Sequence, residues 1–287
     1  MNVLVTGKNG QLGSELRAIE KEYDYQLIFK SSSECDITDK SILENVIKEY
    51  KIDALINGAA YTAVDQAEDN EENAFKVNCE GVKNIDELAL KYGFKYIHIS
   101  TDYVFNGENK EPYASDDIVS PLGVYGKSKR AGEEVVINSN SDSIVIRTSW
   151  LYSSFGNNFV KTIIKHGLQK AELNIVNDQF GSPTYARDLA KACMEIIKKD
   201  RISANGKVYQ FCNTNATNWF EFTKEIFRLK SIACHLNPIS TDQYPTKAQR
   251  PKYSVLSSKK IETDFSIENR NWQEALAECL TLIELKS

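Results

Sequence analysis

The 287-residue sequence has no long basic block. Its 35 Lys and Arg against 40 Asp and Glu leave a net charge of −5, so the electrostatic footprint that nucleic acid or anionic lipid requires is missing. No stretch approaches the roughly 20 consecutive apolar residues that span a bilayer, and residues 1–7 carry neither a basic n-region nor a cleavage site. The expectation is a cytoplasmic protein with no nucleic-acid and no membrane partner. The six cysteines, Cys35, Cys79, Cys193, Cys212, Cys234 and Cys279, are scattered without a C-x-x-C pair, which excludes the usual zinc and small disulfide frameworks and predicts buried free thiols. Three histidines, His98, His166 and His235, lack metal-ligand spacing. His98, within an apolar run, is expected to be a satisfied core residue.

What is present is an alternation of short β-rich runs with helical patterns, the mark of βαβ units and a parallel sheet covered on both faces. Strands are predicted at 2–6, 25–29, 54–57, 96–100 and 143–147. Helices are predicted at 11–22, 40–50, 71–92 and 126–138, with Asp39 as a cap for the second. Right-handed crossovers turn that pattern into a doubly wound sheet. Beyond residue 150 the texture becomes loop-rich, notably at 237–253, between helical segments at 158–170, 184–199, 219–229 and 271–285. The fold class is therefore α/β. A Rossmann-like parallel sheet is expected over residues 1–150 and a smaller α/β substrate-binding lobe over 151–287, with the chain free to return to the first domain.

Gly7-Lys8-Asn9-Gly10-Gln11-Leu12-Gly13 follows the first strand and opens the first helix. Glycines there permit a tight turn and a close approach to a pyrophosphate resting on the helix N-terminus. An ordinary strand-to-helix turn uses the same residues, but this context favours dinucleotide binding by Gly7, Gly10, Gln11 and Leu12. The second strand ends in Lys30-Ser31-Ser32 with no carboxylate at once after it. A base here tolerates a ribose 2′-phosphate, so NADPH is expected and NADH accepted, unless Lys30 is merely a solvated surface lysine. Asp36, followed by Ile37, either accepts a bond from the adenine amino group or caps a turn. Ala59, Ala60 and Tyr61 follow the third strand, where small residues leave room for a ligand or serve close packing.

The fourth strand ends in Ser100-Thr101-Asp102-Tyr103, and Tyr125-Gly126-Lys127-Ser128-Lys129 comes soon after. Tyrosine and lysine four apart share one helix face. An ammonium beside a phenol is expected to lower its pKa from about 10, while a Thr101 hydroxyl holds the carbonyl oxygen being protonated. A surface pair on a solvated helix is the plainer alternative.

At this point the chain resembles the extended short-chain dehydrogenase/reductase family over nearly its whole length, through GKNGQLG, NGAAYTAVDQAE, STDYVFNG, YGKSK, RTSWLY and DQFGSPTYARDLA. Within that family it is similar to reductases of nucleotide-linked 4-keto sugars. The resemblance implies NAD(P)H as hydride donor to C4 of the sugar, with Thr101, Tyr125 and Lys129 as the catalytic set and Tyr125 and Lys129 also against the cofactor. It further implies contacts to the nucleotide-sugar from Thr101, Asp102, Tyr103, Trp150, Gln179 and Arg250, although Trp150 alternatively serves the core and Arg250 the surface. Tyr103 stands where the related sugar 4,6-dehydratases carry an acid, which disfavours dehydration. Some family members hold magnesium between subunits. Glu15 fits one ligand position, but Arg187 falls on another, so no metal is expected; a homodimer without that bridge is left open. Two alternatives remain: a reductase or epimerase of another nucleotide-sugar, and a dinucleotide-binding regulatory subunit resembling that of methionine adenosyltransferase.

Overall fold

The computed structural model describes residues 1–204 and 206–284. Its centre is a six-stranded, wholly parallel sheet. The strands are β1 (Asn2–Thr6), β2 (Gln26–Lys30), β3 (Ala54–Asn57), β4 (Lys95–Thr101), β5 (Ser143–Thr148) and a sixth, Val208–Gln210, beside β5. Across the sheet the order runs Val208–Gln210, β5, β4, β3, β1, β2. The chain thus steps one way from β1 to β2 and the other way from β3 onward. At such a reversal the helices diverge to opposite faces and leave a crevice beyond the strand carboxyl ends.

Strands β1, β3, β4 and β5 are buried on both faces because their alternate residues feed two cores. Val3, Val5, Ile56, Ile97, Ile144 and Ile146 join the helices Gln11–Ala18 and Ala186–Ile197 on one side. Leu4, Leu55, Tyr96 and Val145 join Lys40–Tyr50 and Gly81–Tyr92 on the other. Asp39 caps Lys40–Tyr50 through bonds from the Ser41 and Ile42 amides. A third core, built on Val160, Ile164, Tyr152, Phe222, Ile226, Trp272 and Leu276, belongs to the later part of the chain.

Several stretches differ from the sequence expectation: the helix at 11–22 is Gln11–Ala18 followed by a separate 3-10 turn, Glu20–Glu22, and the sheet gains an unexpected strand, Val208–Gln210. The single helix at 71–92 is three segments, Glu71–Phe75, a π-helical turn at Lys76–Glu80, and Gly81–Tyr92. The wide turn lets Asn78 point inward, and Gly132 of the helix Val124–Ile137 lies so close that a Cβ there would fall 2.1 Å from the Asn78 carbonyl oxygen. The region expected to be loop from 237 contains the end of a strand, His235–Ile239, paired in parallel with Glu172–Val176. That strand is half exposed and holds Pro238, so it lacks a strand's alternation signal. A further short helix, Lys259–Phe265, is only seven residues long, too brief to show a clear helical period.

Candidate active site

A cavity of about 790 Å³ opens at the carboxyl ends of β1, β3 and β4. Gly7, Gly10, Gln11, Leu12, Asp36, Ile37, Ala59, Ala60, Tyr61, Thr101, Asp102, Tyr103, Tyr125, Lys129 and Trp150 all line it. At its glycine-rich end Gly7 has φ +72°, and a Cβ there would lie 2.7 Å from the Gly58 carbonyl group. Gly10 caps the helix Gln11–Ala18 without a side chain, and a Cβ on it would meet only the Gly7 oxygen. The first-turn amides of that helix have no intrahelical acceptor. These features suit a diphosphate at the positive end of the helix. Gln11 ties this turn to the later chain: its Nε2 donates to the Leu151 carbonyl at 3.2 Å, and its Oε1 accepts from Asn158 Nδ2 at 2.9 Å.

Lys30 does not line the cavity. Its ammonium sits 3.2 Å from the Tyr50 hydroxyl and over that ring, 4.6 Å from the centroid, whereas Ser31 and Ser32 face the cavity. Asp36 accepts from both the amide and the hydroxyl of Thr38 at 2.9 Å; it braces its own turn while lining the space. Asn78, which sequence reasoning missed, accepts the Tyr61 amide at 2.9 Å and donates to the Tyr61 carbonyl and the Ser128 hydroxyl. Its one sequence signal is an amide inside an otherwise apolar helical face.

The reactive end is assembled by close backbone approach. A Cβ on Gly126 would stand 2.2 Å from the Tyr103 carbonyl oxygen, so glycine is what lets the helix Val124–Ile137 start against the turn after β4. The same helix is clamped by Glu133, sealed from solvent, which accepts Nε and Nη2 of buried Arg147 at 2.8 Å each and the Ser100 hydroxyl at 2.6 Å. Tyr125 packs its ring edge-on to Tyr103, with centroids 5.6 Å apart.

Lys129 does not lower the Tyr125 phenol. Burial pushes that hydroxyl up to about 12, opposed in part by the Thr101 hydroxyl, while Asp102 raises it further. The lysine Nζ turns instead to the Ile99 carbonyl at 2.6 Å and to His98 Nε2 at 3.3 Å, because a desolvated amine needs acceptors and the strand supplies one. Burial also lowers Lys129 to about 8. The phenol therefore keeps its proton at neutral pH. Asp102 accepts the Thr101 hydroxyl on Oδ1 at 3.1 Å, but its buried Oδ2 has no hydrogen-bond partner among the described residues. Burial holds its carboxyl up at about 6.

A second cavity of about 610 Å³ shares Tyr103 and Trp150 with the first and is otherwise lined by later residues, including Gln179, His166, Trp219, Tyr244 and Arg250. Trp150 has φ +46°, a left-handed backbone that is costly for a bulky residue. Its indole stacks on Trp219 at 3.5 Å and 8°. A Cβ on Gly181 would stand 2.5 Å from that indole. Gln179 Oε1 accepts the Trp219 Nε1–H at 3.3 Å. Arg250 grips Asp65 through both Nη groups, at 3.0 and 2.7 Å. Elsewhere, Glu15 accepts the Arg187 Nε–H at 2.9 Å and the Ser153 hydroxyl at 2.6 Å. A guanidinium occupies the place where a metal ligand would be needed, so these residues do not fit a magnesium ion.

Residues 1–285 match the family described as the RmlD substrate binding domain. The chain is 40% identical over 278 residues to the spore coat polysaccharide biosynthesis protein SpsK of Bacillus subtilis (strain 168), covering 97% of this chain and 96% of that protein. It is similar in structure to a dTDP-4-dehydrorhamnose reductase of Clostridium acetobutylicum ATCC 824, with a TM-score of 0.93 and 39% identity over 98% of this chain and 99% of that one. The dTDP-4-dehydrorhamnose reductase of Bacillus anthracis str. Ames, solved in complex with NADP, matches with a TM-score of 0.91 and 36% identity over 98% of each chain.

Proposed function

Because this chain belongs to the RmlD substrate binding domain family, we propose that it is an NADPH-dependent oxidoreductase, able also to use NADH. It reduces the C4 ketone of dTDP-4-dehydro-L-rhamnose to dTDP-L-rhamnose in cell-surface polysaccharide biosynthesis. The observation that carries this reading is the meeting of Thr101, Tyr125 and Lys129 in one cavity whose far end is the Gly7 to Gly13 turn. The bound nicotinamide supplies the hydride. Every other contribution comes from the chain. Tyr125 holds a proton that is firmly bound at neutral pH and gives it to the oxygen that gains charge at C4. Thr101 steadies that oxygen with its hydroxyl, and Lys129 places a positive charge near the same locus. Gly7, Gly10, Gln11 and Leu12 would hold the diphosphate, and Asp36, Ile37, Ala59, Ala60 and Tyr61 would line the adenosine and ribose.

Asp102, Tyr103 and Trp150 bear on the sugar. The nucleotide extends into the second cavity past Gln179 and Arg250. Ser31 and Ser32, together with any reorientation of Lys30, would receive a 2′-phosphate. The cofactor is bound by residues 1–150 and the sugar nucleotide mainly by 151–287, in a cytoplasmic enzyme. The test is to mix the protein with NADPH and dTDP-4-dehydro-L-rhamnose. Oxidation of NADPH with formation of dTDP-L-rhamnose is expected, and no oxidation with this substrate overturns the reading.

A further inference from the structure

Thr6, Asn57 and His98 are direct cross-strand partners on β1, β3 and β4, and alternation along each strand puts their side chains on the face that the helix Val124–Ile137 covers. All three are sealed from solvent, as is Lys129. At this level, where apolar side chains would be expected in a parallel sheet, they form a continuous hydrogen-bonded row that ends on the lysine. Its polarity can be worked out from the amide in the middle. Asn57 Oδ1 accepts the Thr6 hydroxyl at 2.7 Å and the Ala59 amide at 3.3 Å. The Asn57 Nδ2 is therefore the atom that meets His98 Nδ1, at 3.1 Å, and it donates. A neutral imidazole that accepts at Nδ1 carries its hydrogen on Nε2. That Nε2 is the atom 3.3 Å from Lys129 Nζ.

We propose that His98, locked by Asn57 as the Nε2–H tautomer, is a positioning residue for Lys129: it presents a donor to the amine, disfavours the ammonium form and leaves the Ile99 carbonyl as the anchor of Nζ. An ammonium facing an N–H loses an acceptor it needs, whereas a neutral amine gains a donor for its lone pair. Burial keeps His98 itself uncharged, since its pKa is driven well below the usual imidazole value, first by desolvation and then by Lys129. The other groups around the amine do not supply the missing acceptor. Glu133, one turn on, raises the lysine's proton affinity but is occupied by Arg147, Arg130 and Ser100. Tyr125, Asp102 and Lys76 share the cavity; Asp102 bonds Thr101. Lys129 thereby still carries its charge near neutral pH but gives up its proton readily. This role rests on the reading of Lys129 as part of the reactive set.

The first test needs no turnover. Nitrogen-15 NMR of the free protein, with His98 assigned by its loss in His98→Gln, reads the tautomer directly among three histidines. The expected spectrum has a protonated Nε2 and a bare Nδ1 that do not titrate between roughly pH 5 and 8. A protonated Nδ1 overturns the proposal. The second test is the pH profile of kcat/KM for His98→Gln, whose amide can turn its oxygen to the lysine. The alkaline limb governed by Lys129 should move up by about one unit. A fall in activity with the limb unmoved would mean that His98 only fills space, and the proposal fails. Absence of turnover in the wild type, with the Nε2–H tautomer present, would sink the functional reading and leave the polar row standing.

Discussion

Arg187 donates its Nε–H to Glu15 Oε2 at 2.9 Å, across 172 residues of sequence, and joins the helix Gln11–Ala18 behind the glycine turn to Ala186–Ile197. Glu15 is wholly buried, so the guanidinium is the positive charge that makes the carboxylate tolerable there. Glu278 lies 3.6 Å from the same arginine.

Replacing Arg187 by Met should therefore destabilise the fold by about 3 kcal/mol, the scale for stranding a buried charge, as read from urea unfolding midpoints. Because Arg187 supplies the cation, a metal chelator should leave the activity of the wild type unchanged. A chelator that abolished turnover and a magnesium salt that restored it would contradict this account of the Glu15 site.

Tyr125→Phe should lower turnover by at least about 100-fold, the usual scale for loss of a positioned acid, and leave NADPH affinity within a factor of about three, since the glycine turn is untouched. Stopped-flow or steady-state oxidation of NADPH, beside fluorescence titration of the cofactor, separates the two. Near-normal turnover in the variant would remove Tyr125 from its role.

The pH profile of kcat/KM should be bell-shaped. Asp102 loses the carboxylate form as pH falls through about 6, and Lys129 loses the ammonium as pH rises through about 8. Tyr125, held up at about 12, should add no limb in that range. Absence of the limb near pH 6 would remove Asp102, and a plateau extending past pH 10 would remove Lys129, from control of the reaction.

Asp102→Asn should be more stable than the wild type at pH 7 although less active. The folded-state pKa of about 6 lies above the ordinary 3.8, so the folded protein binds the proton more tightly than the unfolded chain does. Stability is lost as pH rises from about 4 to about 6, amounting to about 3 kcal/mol at roughly 1.4 kcal/mol per unit. Thermal melts of both proteins at pH 4 and pH 7 should show the gap opening at the higher pH. Equal melting temperatures at pH 7 would refute it.

Strands β1, β3 and β5 and the helix Lys40–Tyr50 could be read from the chain to within a residue, because their apolar spacing and their cap are local properties. The turn from Gly7 to Gly13 was equally readable, and Thr101, Tyr125 and Lys129, singled out from their spacing, line one cavity. Asn78 was not, since its importance comes from a π-helical turn that aims it at Tyr61 and Ser128. His98 in an apolar run reads as an inert core residue, and nothing in its neighbours reveals that Asn57, 41 residues earlier, faces it.

The alternation of strand and helix, the glycine turn and the inventory of titratable side chains are written in the chain, because periodicity and residue type act over a few positions. Where each charge resides is settled by packing. Lys30 goes to Tyr50, Arg187 to Glu15, and Lys129 to Ile99 and His98 away from the phenol. A charged side chain removed from water takes the acceptors that neighbouring strands and helices bring within reach, and those neighbours are set by packing between distant segments.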